Sequence, residues 1–208
     1  IGENFQRERN LGVSKGGHKP FKVLVTMGGA DPFNLTELVV NALDRLDGIE
    51  VTVVMGPASN ATPFLRRFME NANPGFRFLY NVADMAPVIN SCHIGFTAVG
   101  TTVYELAYMG VPSIVIANYP GDDGDLRDLR ELGISFCLGY FKDVTAPMIR
   151  GAVKSLMKRE TLLELMSKKA CSLTDGRGAL RIAHIIAELA AESGETMKRG
   201  IFDEVRHA

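Results

Sequence analysis

Six short apolar runs, each followed by a segment with helical spacing, constrain this chain more than any other feature of its sequence. They are FKVLVTM (Phe21 to Met27), EVTVVM (Glu50 to Met55), FRFLY (Phe76 to Tyr80), HIGF (His93 to Phe96), SIVIAN (Ser113 to Asn118) and the weaker Ile134 to Leu138. All are too short for core helices, and their β-branched and aromatic residues suit strands buried on both faces. After the first run, Leu35, Leu38, Val39, Ala42, Leu43 and Leu46 recur at i, i+3, i+4, as on a helix with one face against a sheet. Further helices are predicted over Thr62 to Glu70, from Met85 with Asp84 as its cap, from Thr101 or Thr102, and over Leu126 to Leu132. Alternation of this kind predicts an α/β fold: a doubly wound, Rossmann-like, six-stranded parallel sheet with right-handed crossovers. Its ligands sit at the carboxyl ends of the strands. After Thr145 the pattern is helical only, over Ala146 to Met157, Thr161 to Cys171 and Leu180 to Glu192.

Five loops should therefore share one rim: Gly28 to Asn34, Gly56 to Ala61, Tyr80 to Met85, Thr97 to Thr102 and Asn118 to Asp125. Phe96 to Val111, FTAVGTTVYELAYMGV, takes a strand through a small-residue turn, Thr97 to Gly100, into a helix. The unpaired amides and dipole of such a helix start favour an anion, with phosphate the natural guest. Glu105, one turn further on, could accept two hydrogen bonds from a sugar diol. In the alternative, the turn is purely structural, the threonines cap the helix and Glu105 faces water. A second helix start follows Gly28 and Gly29, with Asp31 as expected N-cap and Pro32 at the first helical position. Two such starts could converge on one diphosphate, and glycine at 28, 29 and 100 would let the backbone approach it closely.

Composition narrows the ligand. The 208 residues carry a net charge of -1 and have no basic block, so nucleic acid is not an expected partner. No apolar run approaches the roughly 20 residues that span a bilayer. Three scattered cysteines, Cys92, Cys137 and Cys171, indicate free thiols in a reducing, cytoplasmic setting. Cys92 and His93 are adjacent strand residues pointing to opposite faces, so they make a poor metal pair, and neither a metal nor a cofactor is expected. A dinucleotide site would want GxGxxG after the first strand and an acid after the second, where this chain has GGADP and MGP. A P-loop motif is also missing, and the ends of strands one and three hold Gly28 and Tyr80 where a phosphoacceptor domain needs acids. Residues 1–20 are polar, glycine-rich and aperiodic and read as a linker from a missing N-terminal domain. Residues 21–192 read as the ligand-binding domain and 193–208 as a tail.

Three segments carry a family resemblance: VTMGGADPFNLT, NVADMAPVINSCHIGFTAVGTTVYELAYMGVPSIVIA and DGRGALRI. They resemble the C-terminal half of GT-B enzymes, above all the UDP-sugar hydrolases of pseudaminic acid synthesis and their spore-coat polysaccharide relatives, and more distantly the murein glycosyltransferase MurG. The likeness runs from Phe21 to Ile186. It implies the nucleotide-sugar-binding half of a two-domain enzyme, with a UDP-sugar as ligand. By that resemblance Glu105 holds the ribose hydroxyls and Gly28 and Gly29 form the glycine loop of the cleft. Gly100, Thr101 and Thr102 start the diphosphate helix, while Asn81, Val82 and Met85 belong to the loop reading the uracil edge. The catalytic residue remains unknown from this sequence, since the family's catalytic histidine belongs to the absent domain. None of His18, His93, His184 and His207 falls on a predicted rim loop. The implied activity is release of UDP from a UDP-linked amino sugar in surface-polysaccharide biosynthesis. The alternatives are the donor domain of a MurG-like transferase and a non-catalytic nucleotide-sugar-binding module, and the fragment alone is expected to be inactive.

Two departures from the family pattern stand out. Val99 replaces a glycine of the usual AGGST or AGGTT, and NYPGDDGDLRDL replaces the Asn-Gln pair that reads the sugar. Asn118, Asp122 and Asp123 are the candidate sugar-binding residues here. The acids of that loop, Asp125 included, either accept sugar hydroxyls or cap the next helix.

Overall fold

A computed structural model describes residues 1–9, 20–71 and 73–191. Its centre is a six-stranded parallel sheet of order β3-β2-β1-β4-β5-β6. The strands are β1 (Phe21–Val25), β2 (Ile49–Met55), β3 (Phe76–Tyr80), β4 (Ile94–Ala98), β5 (Ser113–Ala117) and β6 (Ser135–Tyr140). The helices are α1 (Glu3–Glu8), α2 (Leu35–Leu43), α3 (Pro63–Glu70), α4 (Met85–Asn90), α5 (Thr101–Tyr108), α6 (Asp123–Leu132), α7 (Ala146–Met157) and α8 (Glu160–Leu173), followed by α9 over 178–191.

The two-residue period of the strands divides the core. Val23, Val25, Val51, Val53, Ile114 and Ile116 face α2, α3 and α7 in the largest cluster. Leu24 and Val54 point the other way, with Leu106 of α5 and Ile89 of α4, and Val115 and Ala117 pack with Leu126 and Leu129 of α6 and Ala170 of α8. Each Val, Leu or Ile so buried contributes roughly 1.5–3 kcal/mol against the entropy of ordering. Because α2 leaves β1 for one face and α5 leaves the adjacent β4 for the other, a crevice opens between these two strand ends. That is the switch point at which open α/β sheets bind ligands.

The structure departs from the sequence pattern at several places. β4 runs two residues beyond Phe96, because Thr97 and Ala98 pair with Val115 and Ile116 and are buried. Their small side chains suggest a turn, but the neighbouring strand supplies partners. Within the segment read as a linker, α1 is helical and seats Phe5, 5% exposed, against Ala86 and Ile89. Asn4 Nδ2 donates to Asp84 Oδ1 at 2.6 Å, and the Arg9 guanidinium lies 4.1 Å from the centre of the Tyr108 ring. His18, His207 and the tail 193–208 lie outside the described residues.

α9 is amphipathic as its spacing predicts, yet residues 179–191 are all exposed, among them Leu180, Ile182, Ile185 and Ile186. Among the described residues no helix is long and apolar enough to cross a membrane.

Candidate functional site at the carboxyl rim

The parallel sheet brings the predicted loops to one edge. Gly28, Gly29, Gly100, Thr101, Asn81 and Asp123 are exposed there, and Val82, Met85, Thr102, Glu105, Asn118 and Asp122 are half-buried. With strands about 4.8 Å apart, the β3 and β5 loops are four spacings, or about 19 Å, from each other.

α5 begins at Gly100, whose backbone is extended, and no side chain caps its first turn. Among the described residues no Thr101 or Thr102 hydroxyl bonds a first-turn amide; Val103 N donates to Gly100 O at 3.2 Å, and the amides ahead of it lie at the carboxyl rim beside the crevice. The Thr102 hydroxyl hydrogen-bonds Glu105. Burial pushes the Glu105 carboxyl above its ordinary value, opposed by the Thr102 bond. A half-buried carboxylate within one turn of uncapped amides suits the diol of a ribose whose phosphates sit on those amides.

The second predicted helix start is closed. α2 begins at Leu35 rather than Pro32, and Asp31, at φ 43°, turns its carboxylate onto α2. Its Oδ1 accepts from Leu35 N at 2.8 Å and its Oδ2 from Thr36 N at 2.9 Å. Asp31 and Asn34 (φ 55°) both take left-handed backbone, so Asp31 caps from four residues upstream and Pro32 lies in the turn. Those two amides are spent on the protein, while Gly28, Gly29 and Ala30 are exposed at the rim. Asp31 is itself buried, so Asp31→Ala should lower stability by about 1–3 kcal/mol through two lost charge-assisted bonds, read in urea unfolding.

Gly28, at φ 84°, holds a conformation that L side chains resist, and an added Cβ at Gly28, Gly29 or Gly100 meets nothing within 4 Å. These three line open space. Gly56 does not: a Cβ there would lie 2.5 Å from the carbonyl oxygens of both Gly28 and Gly29. Ala58 N donates to Gly29 O at 2.9 Å. The β2 loop thus supports the glycine pair from behind, a role the sequence disclosed only as a Gly-Pro turn.

At the β3 end, Asn81 has φ 47° and donates its amide to Met55 O at 3.2 Å, which bends the chain into α4. Asp84 Oδ1 caps α4 by accepting from Ala86 N at 3.1 Å. At the β5 end, Asp122 Oδ2 accepts from the amides of Asn118 and Tyr119, both at 2.9 Å. Asp123 and Asp125 occupy the first turn of α6. The acidic loop thus acts largely as a helix start. Asn118 Oδ1 is buried without a hydrogen-bond partner.

His93 lies just before β4, at the opposite edge of the sheet. Its Nδ1 accepts from Lys22 N at 2.8 Å and its ring stacks on Phe21 at 4.9 Å. A groove of about 380 Å³ lined by Lys22, Glu50 and Arg77 also opens at the amino ends of the strands, away from the rim. Burial pushes the Cys137 thiol on β6 up to about 11, against the nearby Arg130 charge. Among the described residues no three His, Cys, Asp or Glu side chains gather as a metal site.

The sheet and its flanking helices have the fold of one half of GT-B glycosyltransferase structures. MurG of Acinetobacter baumannii matches with a TM-score of 0.67 over 88% of this chain and 53% of that one, at 18% identity. The spinosyn rhamnosyltransferase SpnG complexed with thymidine diphosphate matches with a TM-score of 0.60 over 76% of this chain and 42% of that one, at 17% identity. In sequence, the chain is 26% identical over 170 residues to the spore coat polysaccharide biosynthesis protein SpsG of Bacillus subtilis (strain 168). That alignment takes in 80% of this chain and 50% of SpsG, so the chain spans about half the length of this relative. No family model matches.

Proposed function

We propose that this chain is the C-terminal, nucleotide-sugar-binding half of a GT-B enzyme of surface-polysaccharide biosynthesis, and that its ligand is a UDP-sugar. The observation that carries this reading is the uncapped start of α5 with half-buried Glu105 one turn in, after the strand next to the one that ends in the open Gly28 and Gly29. The base lies toward Asn81, Val82 and Met85, and the ribose at Glu105. The diphosphate meets Gly100, Thr101 and Thr102, and the sugar lies toward Asn118, Asp122 and Asp123. Support comes from the pyrimidine nucleoside diphosphate in the SpnG complex and from the polysaccharide role in the name of SpsG.

In this reading the enzyme releases UDP from a UDP-linked amino sugar by transfer to water, in the cytoplasm. The α5 amides stabilise charge on the departing diphosphate, and the base that activates water comes from the other half. Transfer to a sugar acceptor is the second reading, favoured by the fold match to MurG over 88% of the chain.

Calorimetry with UDP, GDP, CMP and UDP-GlcNAc tests the ligand. A preference for the uridine ligands is expected, and equal response to all four, or to none, overturns the proposal. The chain alone should release no UDP from UDP-GlcNAc.

A further inference from the structure

Aromatic side chains from three separate loops meet at the rim, and the diphosphate grip uses none of them. Phe33, after β1, stacks on Phe141, after β6, at 4.6 Å and 26°. Tyr119, after β5, meets Phe33 edge to face at 5.5 Å and 77°. Phe33 and Phe141 are partly buried against the main core, whereas Tyr119 is 54% exposed. Its position is fixed twice, by the Phe33 contact and by the Asp122 carboxylate on its backbone amide. A half-exposed tyrosine whose ring packs on Phe33 and whose backbone is held by Asp122 has less freedom to lose on binding than a free side chain. It stands one strand away from Gly100, because β5 neighbours β4.

The acids beside it are poor sugar ligands. One oxygen of Asp122 already holds two backbone amides, and Asp123 and Asp125 face the dipole of α6. Their charge nonetheless repels an anionic sugar. Asn118 Oδ1, buried and unpaired, favours a ligand that carries a hydrogen-bond donor.

We infer that Tyr119 is a stacking platform for the sugar, taking the apolar C–H face of a neutral N-acetylated or deoxy hexose carried by the diphosphate. Asn118 accepts from a donor on the same sugar. The negative face of the ring attracts the polarised C–H groups, as it attracts the positive edge of another aromatic. Selection here thus rests on ring shape and neutrality rather than on carboxylate hydrogen bonds. The inference depends on the nucleotide-sugar reading above.

The test is calorimetry of the 208-residue chain with UDP, UDP-GlcNAc and UDP-glucuronic acid, for the parent, Tyr119→Ala and Tyr119→Phe. Tyr119→Ala should weaken UDP-GlcNAc about five- to tenfold, the scale of one aromatic contact, and leave UDP within about twofold. Tyr119→Phe should bind both as the parent does, and UDP-glucuronic acid should bind the parent more weakly than UDP-GlcNAc. Saturation-transfer NMR on the parent should carry magnetisation from aromatic protons to the sugar C–H protons, which needs no variant to fold. UDP binding with equal effects of Tyr119→Ala on UDP and UDP-GlcNAc, or with no transfer to the sugar, overturns the platform alone. Failure of the parent to bind UDP removes the nucleotide reading and the platform with it.

Discussion

Glu105→Ala should weaken UDP binding about 30- to 100-fold and leave the melting temperature of the unliganded chain unchanged or slightly raised. A carboxylate that accepts two hydroxyls from one ribose makes two charge-assisted bonds, each worth about 1.5–3 kcal/mol before desolvation. About 2–3 kcal/mol net corresponds to the stated loss. The stability side follows from the carboxyl value, which burial raises above the ordinary 4.5. The folded chain then holds this proton more tightly than the unfolded chain. The contribution is fully present below about pH 4.5 and is lost as pH rises through the raised value. At neutral pH the ionised group therefore costs stability, by less than a fully buried acid would because water still screens it.

Glu105→Gln separates the two effects. It should remove this pH dependence from thermal unfolding and still lose most of the UDP affinity. In the parent, affinity should climb with pH across the same window, since only the ionised carboxylate accepts both hydroxyls. Subtracting the Gln variant's profile isolates that climb from titration of the nucleotide's own phosphate. A Gln variant that binds UDP as the parent does would remove Glu105 from the site.

The same residues show why the sheet was readable and parts of the site were not. Each strand announced itself through a local run, so β2 and β3 fall within a residue of their expected bounds. The α5 start was equally local, since strand, small residues and helix follow one another without a break. α2 misled because Asp-Pro is a strong local start signal, whereas its true start depends on two left-handed residues and on a carboxylate reaching four positions forward. α1 offered one large apolar residue, Phe5, whose meaning lies in Ala86 and Ile89, far along the chain. In α9 the spacing revealed an apolar face but not its surroundings. The Tyr119 contacts join loops after β1, β5 and β6, and no window of sequence contains them.

Gly56→Ala should be the most damaging small change to this rim, lowering stability by about 2–4 kcal/mol and abolishing measurable UDP binding. The added methyl would lie 2.5 Å from two carbonyl oxygens and 2.6 Å from Gly29 Cα, all of them backbone. A side chain could swing aside, but these atoms move only with the whole loop. That loop is held by the Ala58 N to Gly29 O bond and by Thr26 N to Phe96 O at 3.0 Å. For a chain of this size the loss corresponds to a drop of roughly 5–15 °C in melting temperature. Gly29→Ala is the control, because its Cβ meets no protein atom within 4 Å and its φ lies outside the left-handed range. That variant should melt with the parent and yet bind UDP more weakly, because its methyl would stand where the diphosphate approaches. If Gly56→Ala melts with the parent, the two loops part freely and the support from behind is not needed. If Gly29→Ala binds UDP undiminished, the ligand does not pass over the glycine pair, and the grip belongs to α5 alone.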